Sequence, residues 1–344
     1  MKLWSKGFEP QKLDYVDFLR GFAIFTIVLM HFVQGYEIPG WLMTASSFGG
    51  AGVHIFFLCS GFGLYLSHLR RPLGYKSFLQ RRFGKIYFPM AVICLIIASY
   101  MALRGRDVLM PLLSNLFLYK MFIPEHETYF GGQMWFVSTI IQFYFAWPLL
   151  VRLVQWKYGV YAAVAISLGW ATFTNVMGLS EERVWNSFFL QYLWEFCLGM
   201  KIAEVYVRNN SHLELPKVRI LLPVCIVAMI FTGTMGWLGD PWKQYNDFFS
   251  LAAYLSLALI IFSFEISWLN GIMMYTNRFS YEWYLSHLLV FDVVTQVLGY
   301  FFGELDMIVE IVICLVLSYT FAIFFQWFIN RRFGFRPRPL EDKC

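Results

Sequence analysis

Two ionisable residues inside one apolar run define the chemistry open to this chain. The run DFLRGFAIFTIVLMH, residues 17–31, carries Arg20 near its start and His31 at its end. Eleven residues separate them, so in an α-helix both fall on one face, about 16 Å apart along the axis. A guanidinium is a permanent cation whose planar fork fits phosphate or carboxylate oxygens. A neutral imidazole can take a proton from a hydroxyl or attack a carbonyl carbon. At membrane depth both groups are costly unless they face a protein interior or a wet cavity, so together they mark a candidate site. The same pattern would arise from an arginine reaching the lipid headgroups and a histidine bonded to a neighbouring helix.

The elements that must position these groups are membrane helices. With 59% hydrophobic and 14% charged residues and a mean hydropathy of +0.56, the chain reads as an all-α polytopic membrane protein and not as a soluble domain. Ten stretches approach the roughly 20 residues that cross a bilayer: 16–34, 49–66, 86–103, 134–154, 159–178, 187–206, 219–239, 247–264, 281–302 and 307–329. The apolar segment 107–123 is interrupted by Pro111, Asn115 and Lys120 and is expected to lie at the interface. Ten spans with both termini in the cytoplasm put most of the 27 Lys and Arg on the inner side. An eleventh span would move the basic tail RRFGFRPRP outside. No cleavable signal precedes Asp14, so the first apolar run is expected to remain as a helix. The net charge of +5 then reads as orientation and lipid contact, with no nucleic-acid partner. Six cysteines without metal-ligand or disulfide spacing are expected to be free thiols, and no metal is implied. The expected organisation is one membrane domain, 14–330, between cytoplasmic tails at 1–13 and 331–344, with no further domain.

Several segments could supply partners for Arg20 and His31. The second stretch opens GGAGVHIFFLCSGFGLYL, where Gly49, Gly50, Gly52, Ser60, Gly61 and Gly63 would let helices approach closely. In FLQRRFGKIYFP, the cations Arg81, Arg82 and Lys85 fall at the cytoplasmic end of the third stretch and could hold phosphates. If Arg20, Tyr206 and Tyr281 all sit near the cytoplasmic interface, then His31, Glu195 and Asp292 each lie eleven residues, about 16 Å, further in. A carboxylate commonly orients a histidine base. Asp292 or Glu195 is therefore expected to orient His31, the alternative being that these acids pair with Tyr, Trp or Ser side chains in helix packing. His68, His126 and His212 fall in expected loops and read as solvated. His54, near the outer end of the second stretch, could touch an acceptor or serve structure alone. His287, near the cytoplasmic end of the ninth, fits either a donor pocket or a packing hydrogen bond.

DFLRGFAIFTIVLMHF followed by GVHIFFLCSGF resembles the bacterial acyltransferase-3 family of integral-membrane O-acyltransferases, whose first helix carries an arginine, ten residues and a histidine. The resemblance continues through RRFGKIYFP, WFVSTIIQFYFAWPLL, LWEFCLGM and NRFSYEWYLSH, covering about residues 14–330. It implies a ten-helix core in the bacterial inner membrane that uses cytoplasmic acyl-CoA, with acetyl-CoA the expected donor, to modify a hydroxyl on a glycan or glycolipid acceptor of the envelope or on an exported glycan. It implies a catalytic His31, an essential Arg20, donor contacts at Arg82 and Lys85, and Ser60, Tyr284 and His287 as further donor-pocket candidates. The chain departs from the family pattern in four places. Lys85 stands where arginine is common, which keeps phosphate contact and loses the bidentate fork; Pro89 is displaced by one residue; Ile140 and Ile141 occupy places where acids are common; and Tyr192 stands where arginine is common. Alternatives are transfer of a larger acyl group such as succinyl, or a glycan exporter with Arg20 and His31 lining its path. Against the exporter, the chain shows neither inverted repeats nor paired broken helices.

Overall fold

The computed structural model describes residues 13–209 and 212–334, which are helical throughout with no strand among them. Fourteen α-helices follow one another: α1 Asp14–Val33, α2 Gly40–Ser47, α3 Gly52–Arg70, α4 Tyr75–Leu103, α5 Leu109–Leu116, α6 Trp135–Gln155, α7 Gly159–Val176, α8 Arg183–Asn186, α9 Leu193–Arg208, α10 Val218–Leu238, α11 Asp247–Ser263, α12 Ser267–Thr276, α13 Ser280–Phe302 and α14 Met307–Phe333. Of the expected tails, residues 1–12 and 335–344 lie outside the described residues, and Arg331 and Arg332 extend α14. Cys344 is outside as well; the other five cysteines are unpaired and buried.

Every one of the ten expected stretches holds a helix, and 8 helical segments are long and apolar enough to cross a membrane. The two that fall short are α9, with 16 residues, and α11, with 17. Helices of those lengths reach only about 24–26 Å, against a hydrocarbon core of about 30 Å. For α9 the cause is local: residues 187–192, expected as its first turns, form a series of turns instead. Its burial explains why a short helix is tolerated. Leu193 through Cys197 are all buried, so α9 packs inside the bundle against α3, α6 and α7. The segment 107–123 contains the eight-residue α5 and a single 3-10 turn at Lys120–Phe122, both too short to span. Conversely, α4 begins eleven residues before its expected start, so the basic RRFGK sequence is helical and continuous with the apolar part.

At the centre stands α1, in contact with α3, α11, α12, α13 and α14. Phe18, Ala23, Ile24, Val28 and Phe32 are completely buried there. Glycines set these contacts. A Cβ on Gly21 would fall well inside 3.0 Å of the Met273 carbonyl on α12, a helix outside the ten expected stretches. Gly49 and Gly52 meet the carbonyls of Thr26 and Ala23 on α1 in the same way. The α3–α9 crossing is drawn close from both sides: Gly61 lies against the Phe196 carbonyl and Gly199 against that of Leu58, while Gly63 faces open space. In lipid, where apolar side chains gain little by leaving the solvent, such backbone approach supplies much of the association. Gly199→Ala is therefore expected to destabilise the protein by about 1–3 kcal/mol through forced separation of α3 and α9, with Gly63→Ala as a silent control. Unfolding in detergent checks this, and equal stability of the two variants would refute it.

Candidate active site

His31 occupies the last turn of α1, and its ring faces α13. Nδ1 of His31 lies 3.0 Å from Nε2 of His287, and the two rings are 5.0 Å apart and 23° from parallel. His287 is completely buried, and its Nδ1 lies 3.1 Å from the Trp283 carbonyl one turn earlier. Tyr284 packs beside it, ring centroids 6.3 Å apart, with a buried hydroxyl that has no hydrogen-bond partner. His287 lies near the start of α13, a helix end as expected, and meets His31 there.

The other side of His31 opens onto a cavity of about 240 Å³ lined also by Glu127, Thr128, Gly132, Gln133, Trp135, Arg183 and Leu288. The Arg183 guanidinium lies over the Trp135 ring, 5.4 Å from its centroid. Gln133 Oε1 is buried without a partner. A second cavity, about 210 Å³, shares Thr128 and Leu288 with the first and is lined further by Tyr100, Arg104, Arg106 and Asp292. The segment 128–132, which contributes lining to both, is held by Lys120. Its Nζ donates to the carbonyls of Tyr129 and Gly131, both at 2.8 Å, on either side of Phe130, whose φ of +58° is rare for a residue with a side chain. Burial lowers the Lys120 amine to about 7, while Cys94 and Glu127 nearby act in the opposite sense. A neutral amine still donates two hydrogen bonds, so the clamp on this wall survives deprotonation.

At the other end of the same face, the half-buried Arg20 lies over the Phe56 ring at 5.9 Å, with Nε buried and unpartnered. Arg20 and Arg82 both fall within electrostatic reach of Tyr144 on α6, which brings cations of α1 and α4 to one place. Lys85 is exposed, one turn along α4 from Arg82. Ser60 is half-buried on α3, next to Cys59, which Arg20 also reaches electrostatically. The Tyr281 hydroxyl donates to the Ile86 carbonyl at 2.8 Å, tying α13 to α4.

Two expectations are corrected. Asp292 does not orient His31: its carboxylate accepts from the Tyr100 hydroxyl at 2.8 Å and from Gln296 Nε2 at 2.7 Å, with Arg104 at 3.8 Å, in the second cavity. Glu195 does not either: it is completely buried and bonded at 2.7 Å to Nδ1 of His54, whose Nε2 lies 3.7 Å from Asp247. Counting residues along a helix gave depth but not the direction in which each helix is turned. Of the histidines expected to be solvated, His212 is exposed, whereas His68 is half-buried against Tyr65 and Trp147, and His126 is half-buried against Tyr119 and Tyr129. Glu127, Gln133, Trp135 and Arg183 were not expected as site residues because Glu127 and Gln133 sit in short turns and Trp135 and Arg183 open α6 and α8, where helical periodicity carries no signal. The adjacent glycines Gly131 and Gly132 were the available signal that backbone there is shaped for a purpose.

A family profile described as an acyltransferase domain matches residues 13–327. The chain belongs to the acyltransferase-3 family. It thus carries an acyltransferase domain on helices long and apolar enough to cross a membrane. Acyltransferase MdmB of Streptomyces mycarofaciens is 27% identical over 222 residues, a region covering 56% of this chain and 57% of that protein. The chain therefore spans little more than half the length of that relative. No solved structure matches it.

Proposed function

We propose that this acyltransferase moves an acyl group, acetyl in the first instance, from acyl-CoA to a hydroxyl of a glycan or glycolipid, with His31 as the base. The observation that carries this reading is the face of α1 itself: a cation cluster around Arg20 at one end and, about 16 Å along, a histidine opening onto a polar cavity. In this reading α9 and α11 complete ten crossings of a bacterial inner membrane, both termini are cytoplasmic, and the donor's phosphates lie among Arg20, Arg82 and Lys85. The pantetheine arm runs along α1, and the thioester meets the acceptor at His31. His31 takes the hydroxyl proton as the oxygen attacks the thioester carbonyl; the C–S bond breaks, and the departing thiolate receives the proton. An acyl-histidine intermediate is the other route open to the same residue.

The cavities bear on the acceptor. Each is smaller than the ~300 Å³ at which small-ligand sites ordinarily begin, and together they exceed it. The acceptor accordingly places its reacting hydroxyl beside His31 and a neighbouring part beside Arg104, Arg106 and Asp292. Carboxylate, guanidinium, amide and indole groups are those that hold a polyhydroxylated ring.

Purified protein in lipid is expected to release CoA from acetyl-CoA only when an extract of envelope glycans is supplied, and mass spectrometry should find the acyl group on the glycan. Glycan counterflow without CoA would support an exporter instead. Arg20→Lys, Arg82→Ala and Lys85→Ala should each raise the acyl-CoA concentration needed for half-saturation, since each removes or blunts a phosphate contact. Unchanged donor saturation in all three would place the phosphates elsewhere.

A further inference from the structure

We infer that His287 is the positioning residue that fixes the tautomer of His31, so that Nε2 of His31 is the atom that takes the proton. The inference rests on the reading of His31 as base. Its structural premise comes from the chain of ring nitrogens. A carbonyl oxygen can only accept, so the 3.1 Å contact with Trp283 requires that Nδ1 of His287 carry hydrogen. His287 is completely buried, and its ring meets that carbonyl, the neighbouring Tyr284 backbone and His31, with no carboxylate bonded to either nitrogen. A doubly protonated imidazolium without a counter-charge is strongly disfavoured there. A neutral His287 with hydrogen on Nδ1 presents a lone pair at Nε2. Nδ1 of His31, 3.0 Å away, must then donate. That leaves the lone pair of His31 on Nε2, the nitrogen not engaged by His287, on a ring that lines the cavity.

This is the arrangement in which a histidine base is held by a partner on one nitrogen and works with the other. The partner here is a neutral imidazole where a carboxylate is more familiar, which explains why neither Asp292 nor Glu195 is needed at this position. The Trp283 carbonyl is the fixed end of the relay. Because it comes from the backbone of α13, helix formation itself sets the hydrogen position two rings away.

The test uses the full chain in lipid nanodiscs, labelled with 15N-histidine, with the His31 signals assigned by difference from His31→Gln. Solid-state NMR is expected to show hydrogen on Nδ1 and a bare Nε2 for His31. In His287→Gln the amide oxygen can still accept, so the tautomer and most of the activity should be retained. In His287→Ala the preference should be lost and kcat should fall at least ~10-fold at unchanged acyl-CoA half-saturation; the loss reaches about 10⁴-fold where a catalytic histidine is locked in the wrong tautomer. Hydrogen on Nε2 of His31 in the unsubstituted protein would overturn the inference, as would a His287→Ala protein with unaltered tautomer and kcat. The NMR result needs no acceptor. A correct tautomer in a protein that transfers no acyl group would therefore defeat the functional reading and leave the positioning geometry standing.

Discussion

His31→Ala is expected to lower acyl transfer at least ~100-fold, the smallest loss typical of removing a general base, while the protein still inserts and folds. The structural penalty is bounded. Losing the ring leaves Nε2 of His287 buried without its donor, which costs about 1–3 kcal/mol. It opens no hole at the centre of the bundle, because His31 stands half-buried in the last turn of α1 and itself borders a cavity. His31→Gln separates chemistry from packing, since its amide can donate to His287 and cannot take a proton. Both variants should fail alike. CoA release and acylated product, measured on protein reconstituted in lipid and checked for folding, decide the matter. Activity above about a tenth of the unsubstituted level in either variant would exclude His31 as the base, being far short of the ~100-fold loss.

What the sequence made legible was whatever depends on one helix at a time. Arg20 and His31 share a face because 3.6-residue periodicity puts them there, and one unbroken helix carries both. Helices stand at all ten expected stretches because apolar length alone selects them. What depends on two helices was not legible. Glu195 and Asp292 were placed by depth, but the azimuth of α9 is set by Gly61 and Gly199 closing on backbone, and that rotation gives Glu195 to His54. Asp292 is turned toward Tyr100 of α4 and Arg104 just past its end. His287 was visible as a histidine near one end of its helix, fit for a donor pocket or a packing hydrogen bond, yet nothing in a single chain says that its Nε2 meets Nδ1 of a residue 256 positions away. The cavity wall was hardest. Its shape comes from one buried lysine holding two carbonyls, and no hydrophobic period announces such a contact.

The second large effect expected is structural and falls on His54, a residue that sequence left between acceptor contact and structure. Both of its ring nitrogens are engaged by acids from other helices: Nδ1 with Glu195 of α9 at 2.7 Å, and Nε2 facing Asp247, the first residue of α11, at 3.7 Å. Gln191 holds the far side of Asp247 at 2.7 Å and also donates to the Gln244 carbonyl at 3.0 Å. The second oxygen of Glu195 is buried with no partner, so His54 is the group that makes burial of this carboxylate tolerable. His54 thus ties α3 to the two short helices. His54→Leu leaves the buried Glu195 and the half-buried Asp247 without the intervening imidazole. Breaking a buried charged pair by removing one member destabilises by about 3–5 kcal/mol, mostly through the group left behind. Glu195→Gln should cost less, because the amide oxygen still accepts from Nδ1. The discriminating variant is the double substitution His54→Leu with Glu195→Leu. If the loss arises from an uncompensated carboxylate, removing that carboxylate restores much of the stability; if it arises from packing, the two losses add. Unfolding free energies of the four proteins in one detergent give the coupling directly. Additive losses, or a His54→Leu protein as stable as the unsubstituted one, would mean that this buried triad is not what anchors α9 and α11 to the core.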